Sequence, residues 1–172
     1  MQDLKSQNII YVHRDGTLSF KKEKFKCSIG LNGISKNKIE GDKKTPAGLF
    51  PIRMVMFRSD RIKNIVTSLD ILEILPDDGW CDDPTDKNYN QLIKLPYSKS
   101  YEKLWRHDNL YNIIIVIGFN DSPAIPYKGS AIFLHCASKC YKPTDGCIAL
   151  IESDISKILL SVNHETQISI QA

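Results

Sequence analysis

Residues 111–119 read YNIIIVIGF, and Ile113 to Ile117 are five consecutive β-branched residues. Branching at Cβ narrows side-chain freedom in a helix and suits a pleated surface. An apolar run without alternation is the pattern of a strand buried on both faces, so apolar layers are expected on either side of it. With 172 residues, 42% of them hydrophobic, the chain has enough apolar material for one compact domain, expected over 1–172.

Shorter runs on either side repeat the strand signal. Asn8 to Val12 and Thr17 to Phe20 flank Asp15-Gly16, a pair suited to a tight hairpin turn. Lys24 to Ile29 alternates charged and apolar residues, the period of a half-buried strand. Residues 30–48 shift to Gly, Asn, Lys and Asp, a long loop ending in Thr45-Pro46-Ala47-Gly48, and loops of that length in compact domains often carry function. Leu49 to Phe57, Ser130 to His135 and Thr166 to Ile170 read as further strands. Between 63 and 104 the pattern is weaker: a short helix or strand near Ile71 to Leu75, a polar loop from Pro76 to Asn90, and a helical turn from Ser100 to Arg106. Ile155, Ile158, Leu159 and Val162 recur at helical spacing and predict a helix over 153–162. The expectation is a mainly β fold with few short helices, one near the C-terminus.

The charge balance excludes several classes. The 23 basic and 20 acidic residues give +3, and the basic ones do not form a dominant cluster, so no nucleic-acid partner is expected. The longest apolar stretch is far short of a membrane span. The opening residues, MQDLKSQNIIYVHRDG, have no apolar core or small-residue cleavage site, so no signal peptide is expected there.

Chemistry concentrates in residues 135–147, HCASKCYKPTDGC. Five cysteines (Cys27, Cys81, Cys136, Cys140 and Cys147) are an odd number, so at least one stays unpaired. A thiol attacks as thiolate and needs a base, usually histidine, with backbone N–H groups to hold the developing oxyanion. His135 ends a predicted strand, and Gly146 lets the chain bend tightly just before Cys147. Taken alone, Cys147 reads better as a buried structural thiol and His135 as a core histidine. A zinc site from His135, Cys136, Cys140 and Cys147 is disfavoured because the C-x₃-C-x₆-C spacing lacks a paired knuckle.

The motifs taken together go further. GDKKTPAGLF (41–50), IFLH (132–135) and PTDGC (143–147) resemble the L,D-transpeptidase catalytic domain, the YkuD-like fold. Glu40-Gly41-Asp42, Arg58 with Asp60-Arg61, Gly79-Trp80 with Asp82-Asp83-Pro84, and Tyr89-Asn90 extend the match in order from about residue 27 to 170. Asp145 stands where the broader family often has histidine, and Ala149 where it has Arg or Asn.

The resemblance implies a YkuD-like β-sandwich and acyl transfer on peptidoglycan stem peptides, donor and acceptor, with no cofactor and no metal. Cys147 would attack the carbonyl between the L-centre of diaminopimelate and the terminal D-alanine, with His135 as base. The amides of Gly146, Cys147 and Asp145 would form the oxyanion hole. Arg58 and Arg61 would clamp substrate carboxylates, Asp82 and Asp83 would meet its amines, and Thr144 would add a substrate contact. The bland readings are surface or structural ion pairs for the arginines and a turn for Asp82-Asp83-Pro84. The alternatives are an L,D-carboxypeptidase or endopeptidase using the same pair, and a non-catalytic wall-binding or metal-binding module. The resemblance also implies a place in the cell envelope or periplasm, whereas the absence of a visible signal leaves a cytoplasmic role on recycled wall fragments open.

Overall fold

The computed structural model describes residues 8–172. Its strands in chain order are β1 (Ile9–Val12), β2 (Thr17–Phe20), β3 (Glu23–Lys26), β4 (Ile34–Ser35), β5 (Thr45–Pro46), β6 (Gly48–Phe57) and β7 (Ile71–Glu73). Then come β8 (Asp78–Cys81), β9 (Leu92–Lys94), β10 (Tyr101–Lys103), β11 (Ile113–Ile117), β12 (Phe133–Cys136), β13 (Ile148–Leu150), helix α1 (Glu152–Leu159) and β14 (Gln167–Ile170). Strands hold 35% of the chain and helix 5%, as the mainly β expectation requires. The hairpin at Asp15-Gly16 forms as read, with Asp15 Oδ1 accepting from the Thr17 amide at 3.0 Å and its hydroxyl at 2.6 Å.

The largest sheet runs β13-β12-β11-β6-β14-β1-β2-β3, with β7 added beside β6. It curls until its two edges meet. Just beyond β3, Ser28 bridges Ala149 of β13, each amide donating to the other's carbonyl at 2.8 and 3.0 Å. Two residues on, Gly30 bridges Thr144, with the Leu31 amide on Thr144 O at 2.9 Å and the Thr144 amide on Ile29 O at 3.0 Å. This seam turns the sheet into a nearly closed barrel and fastens residues 144–149 to it.

β11 is buried on both faces, as its apolar run predicts. Ile113, Ile115 and Ile117 enter one core with Val55, Leu134, Ile148 and the inner side of α1. Ile114 and Val116 enter a second core with Met56, Trp80, Tyr111 and Phe133. The second core is roofed by a three-stranded sheet, β10-β8-β9, which supplies Trp80, while Leu104 follows just after β10. That sheet corrects the sequence reading. Ser100 to Arg106 contains strand β10 rather than a helical turn, and the loop expected over 76–90 contains β8. These strands are three or four residues long and carry Asp, Gly or Lys at alternate or adjacent positions, so their extended state comes from pairing with one another. The loop expected over 30–48 likewise holds the short parallel pair β4 and β5.

Candidate active site

The parallel pairing of β12 with β13 sets His135 opposite Ala149 and Leu134 opposite Ile148. Cys147 comes one residue before β13 and, by that register, opposite Phe133, whose amide donates to Cys147 Sγ at 3.3 Å. Alternation then sends Phe133 and His135 to one face with Cys147, and Leu134 and Cys136 to the other. Cys147 and His135 line a single cavity of about 480 Å³, together with Lys38, Asp82, Glu102, Arg106 and Tyr111. Cys136 points into the first core and Cys140 is exposed, so these thiols diverge from Cys147. Among the described residues no three His, Cys, Asp or Glu side chains gather into a metal-holding group.

His135 is buried, 6% exposed, and its ring Nδ1 lies 2.9 Å from Cys136 O. With the proton on Nδ1 in that bond, Nε2 is left as the acceptor. Burial pulls the imidazole down to about 4, with Arg106 adding to the effect, so it is neutral near pH 7. Tyr111 packs edge-on against it with ring centroids 5.2 Å apart. Burial pushes the half-buried Cys147 thiol up to about 12, against the lowering effect of the Phe133 amide. The resting pair is therefore thiol and neutral imidazole. The thiol donates to Ala131 O at 3.1 Å rather than to the ring.

Ala131 is itself held by the motifs read from the sequence. Asn90 Oδ1 accepts from the Ala131 amide and from Trp80 Nε1, each at 2.9 Å, while Asn90 Nδ2 donates to Phe119 O and Asn120 O. Glu40 accepts from the Tyr89 hydroxyl and, at 2.7 Å, from Ser130 Oγ, and Tyr89 in turn accepts from the Gly129 amide at 3.0 Å. Glu40 and the Tyr89-Asn90 pair, far apart in the chain, thus clamp residues 129–131, with Trp80 bracing Asn90, and at the end of that segment sits the carbonyl that accepts the thiol's hydrogen bond.

The remaining expected site residues divide. Asp145 and Thr144 line the cavity. The Thr144 hydroxyl is used inside the turn, donating to Cys147 O at 2.5 Å and accepting from the Gly146 amide at 3.2 Å. That bond occupies the Gly146 amide, whereas the amides of Asp145 and Cys147 have no hydrogen-bond partner among the described residues. Gly146 has φ +136°, and a Cβ there would stand 2.9 Å from Lys44 O. Asp82 lines the cavity with its Oδ1 buried and unpartnered, while Asp83 accepts from the amide and hydroxyl of Thr85 in a local turn.

Arg58 and Arg61, expected as carboxylate clamps, do not line the cavity. Arg58 is 3% exposed, bonds Asp60 through two nitrogens at 2.7 Å, donates to Arg106 O at 2.8 Å and stacks over Trp105 at 3.4 Å. Arg61 donates to the carbonyls of Arg106, His107 and Asp108 and to Asn112 Oδ1. Their donors are consumed in fastening the loop that carries Arg106, and Arg106 is the arginine that reaches the cavity. It grips Asp108 through two bonds, lies 3.3 Å from Glu102 and sits over the Tyr111 ring. Glu102, raised above the usual carboxylate range by burial, accepts from the Tyr111 hydroxyl at 3.1 Å. Sequence reading assigned no role to Glu102, Arg106 or Tyr111, which stand outside the quoted motifs.

A family model, the YkuD L,D-transpeptidase catalytic domain, matches residues 1–170. The chain belongs to this family. Two solved structures resemble it at low identity. An L,D-transpeptidase from Mycobacterium smegmatis shares 15% identity at a TM-score of 0.49, covering 96% of this chain and 59% of that one. The helical cell shape determining protein Pgp2 from Campylobacter jejuni shares 13% at 0.45, covering 95% and 46%. This YkuD chain therefore spans about half of the length of those two proteins. Among curated proteins no sequence matches significantly. No helix among the described residues is long and apolar enough to cross a membrane.

Proposed function

We propose that this YkuD-family chain is a cysteine acyltransferase acting on peptidoglycan stem peptides, with Cys147 as nucleophile and His135 as base. The observation that carries the reading is the β12–β13 register, which sets the sulfur and the ring on one face of one cavity with Nε2 free to accept. A neutral imidazole and a protonated thiol are the states that general-base attack starts from. As Sγ bonds to the acyl carbon, the thiol proton passes from the Ala131 side to His135 Nε2. The tetrahedral oxyanion takes the free amides of Cys147 and Asp145. Collapse breaks the C–N bond, and Nε2 returns its proton to the departing amine of the terminal D-alanine. An amine of a second stem then attacks the thioester, His135 takes its proton, and sulfur leaves. Asp82, with a carboxylate oxygen in the cavity that has no partner among the described residues, suits an ammonium group of the stem. Such a substrate puts the site of action at the cell wall.

The test is incubation of the purified protein with tetrapeptide muropeptides, with products resolved by mass. Cross-linked dimers are expected, and Cys147→Ala is expected to form none. Tripeptide monomers alone would reassign the chain to hydrolysis of the same bond. Turnover that survives in Cys147→Ala would overturn the reading.

A further inference from the structure

Behind the nucleophile turn lies a buried cation that the chemistry above does not use. Lys38 is 6% exposed, and its ammonium donates to Asp42 Oδ1 at 2.6 Å and to Ile39 O at 2.8 Å, which leaves one of its three hydrogens. It lines the cavity with Cys147, and its Cε stands 3.7 Å from where a Cβ of Gly146 would be. Both members of the Lys38–Asp42 pair are more than nine-tenths buried, an arrangement that costs desolvation and is a weak source of stability. Asp42 also accepts from the amides of Ile39 at 3.0 Å and Lys44 at 2.9 Å. Burial opposes its ionisation, yet the Lys38 bond and those amides hold it below the usual carboxylate range. Its charge is thus shared among several donors, and the pair does not cancel from the cavity side.

Several other charges near Cys147 are committed elsewhere. Arg106 is bound by Asp108, Glu102 is bonded by Tyr111 and Arg106, and exposed Asp145 lies 3.6 Å from Lys43. Asp82, in contrast, lines the same cavity with a buried Oδ1 that has no partner among the described residues, and Lys43 and Lys142 line it as well. His135 is neutral near pH 7.

We propose that Lys38 is a positioning residue of this site: held by Asp42 behind Gly146, it supplies the fixed positive charge against which negative charge on Cys147, and on the acyl oxygen it attacks, develops. This rests on Cys147 being the nucleophile. It predicts opposite effects for the two members of one ion pair, because removing the lysine removes the cation and removing the aspartate charge unmasks it. A clamp that merely holds residues 38–44 in place predicts the same direction for both.

The measurement is the pH–rate profile of Cys147 alkylation by iodoacetamide, in a Cys140→Ser background because Cys140 is the exposed thiol. Lys38→Met is expected to slow the reaction near neutral pH about tenfold. Asp42→Asn is expected to accelerate it several-fold, and Lys38→Arg to stay near the parent. Shifts in the same direction for Lys38→Met and Asp42→Asn, or none in folded protein, overturn the proposal. Where Lys38→Met fails to fold, Asp42→Asn alone decides, with acceleration supporting and slowing refuting. Muropeptide turnover by the Cys140→Ser parent, and its loss on adding Cys147→Ala, tests the nucleophile separately, so failure of the lysine proposal is distinguishable from failure of the functional reading.

Discussion

His135 carries a share of the acid sensitivity of the fold. In the unfolded chain its imidazole titrates near 6.5, and burial brings it to about 4 in the folded protein. The unfolded state therefore binds the proton first as pH falls. The stabilisation is complete above about 6.5 and is lost on descending toward 4, a change on the order of 3 kcal/mol. Urea unfolding at pH 7.5 and 4.5 is expected to give a shallower pH slope for His135→Asn than for the parent, and an equal slope would contradict the neutral, buried ring. Cys147 and His135 were legible because they close motifs that keep their order along the chain. The arginines misled for a physical reason: a guanidinium fork fits a substrate carboxylate and a row of backbone carbonyls alike, and only the fold shows which is within reach. Lys38, Glu102 and Tyr111 gave no signal because what distinguishes them is burial and distance, neither of which has a one-dimensional pattern.

Among the elements, β11 was readable from composition alone, since burial on both faces forbids polar residues at every position. α1 was readable from Ile155, Ile158 and Leu159. The β8–β10 sheet was not, because strands of three or four residues are too short for a period to repeat and Trp80 is the only member of β8 in the apolar core beneath. That sheet brings in Glu102, on β10, and the loop after it that carries Arg106, which Arg58 and Arg61 fasten. Replacing Arg58 by lysine keeps the charge and loses the fork and the stack on Trp105. The expected cost is about 2 kcal/mol, a fall in Tm of roughly 4–8 °C. Turnover is expected to drop further than this loss of stability accounts for, through displacement of Arg106. Calorimetry with kinetics measured well below Tm checks both, and wild-type turnover in Arg58→Lys would detach the loop from the chemistry.

For the molecule as a whole, the seam is held by two isolated bridges, Ser28 to Ala149 and Gly30 to Thr144, whereas β11 is paired along its length with β6 and β12. Local opening is cheapest where few bonds must break. Amide exchange is therefore expected at Ser28 and Ala149 well before Ile114 and Ile115, and equal protection at both places would make the closure as firm as the centre of the sheet. The segment fastened there, residues 144–149, contains Cys147. A chain still emerging or partly unravelled has no ring of strands to complete, so its sulfur lacks the Phe133 and Ala131 contacts and the facing imidazole. Under the proposed function, the nucleophile is complete only while this joint is closed.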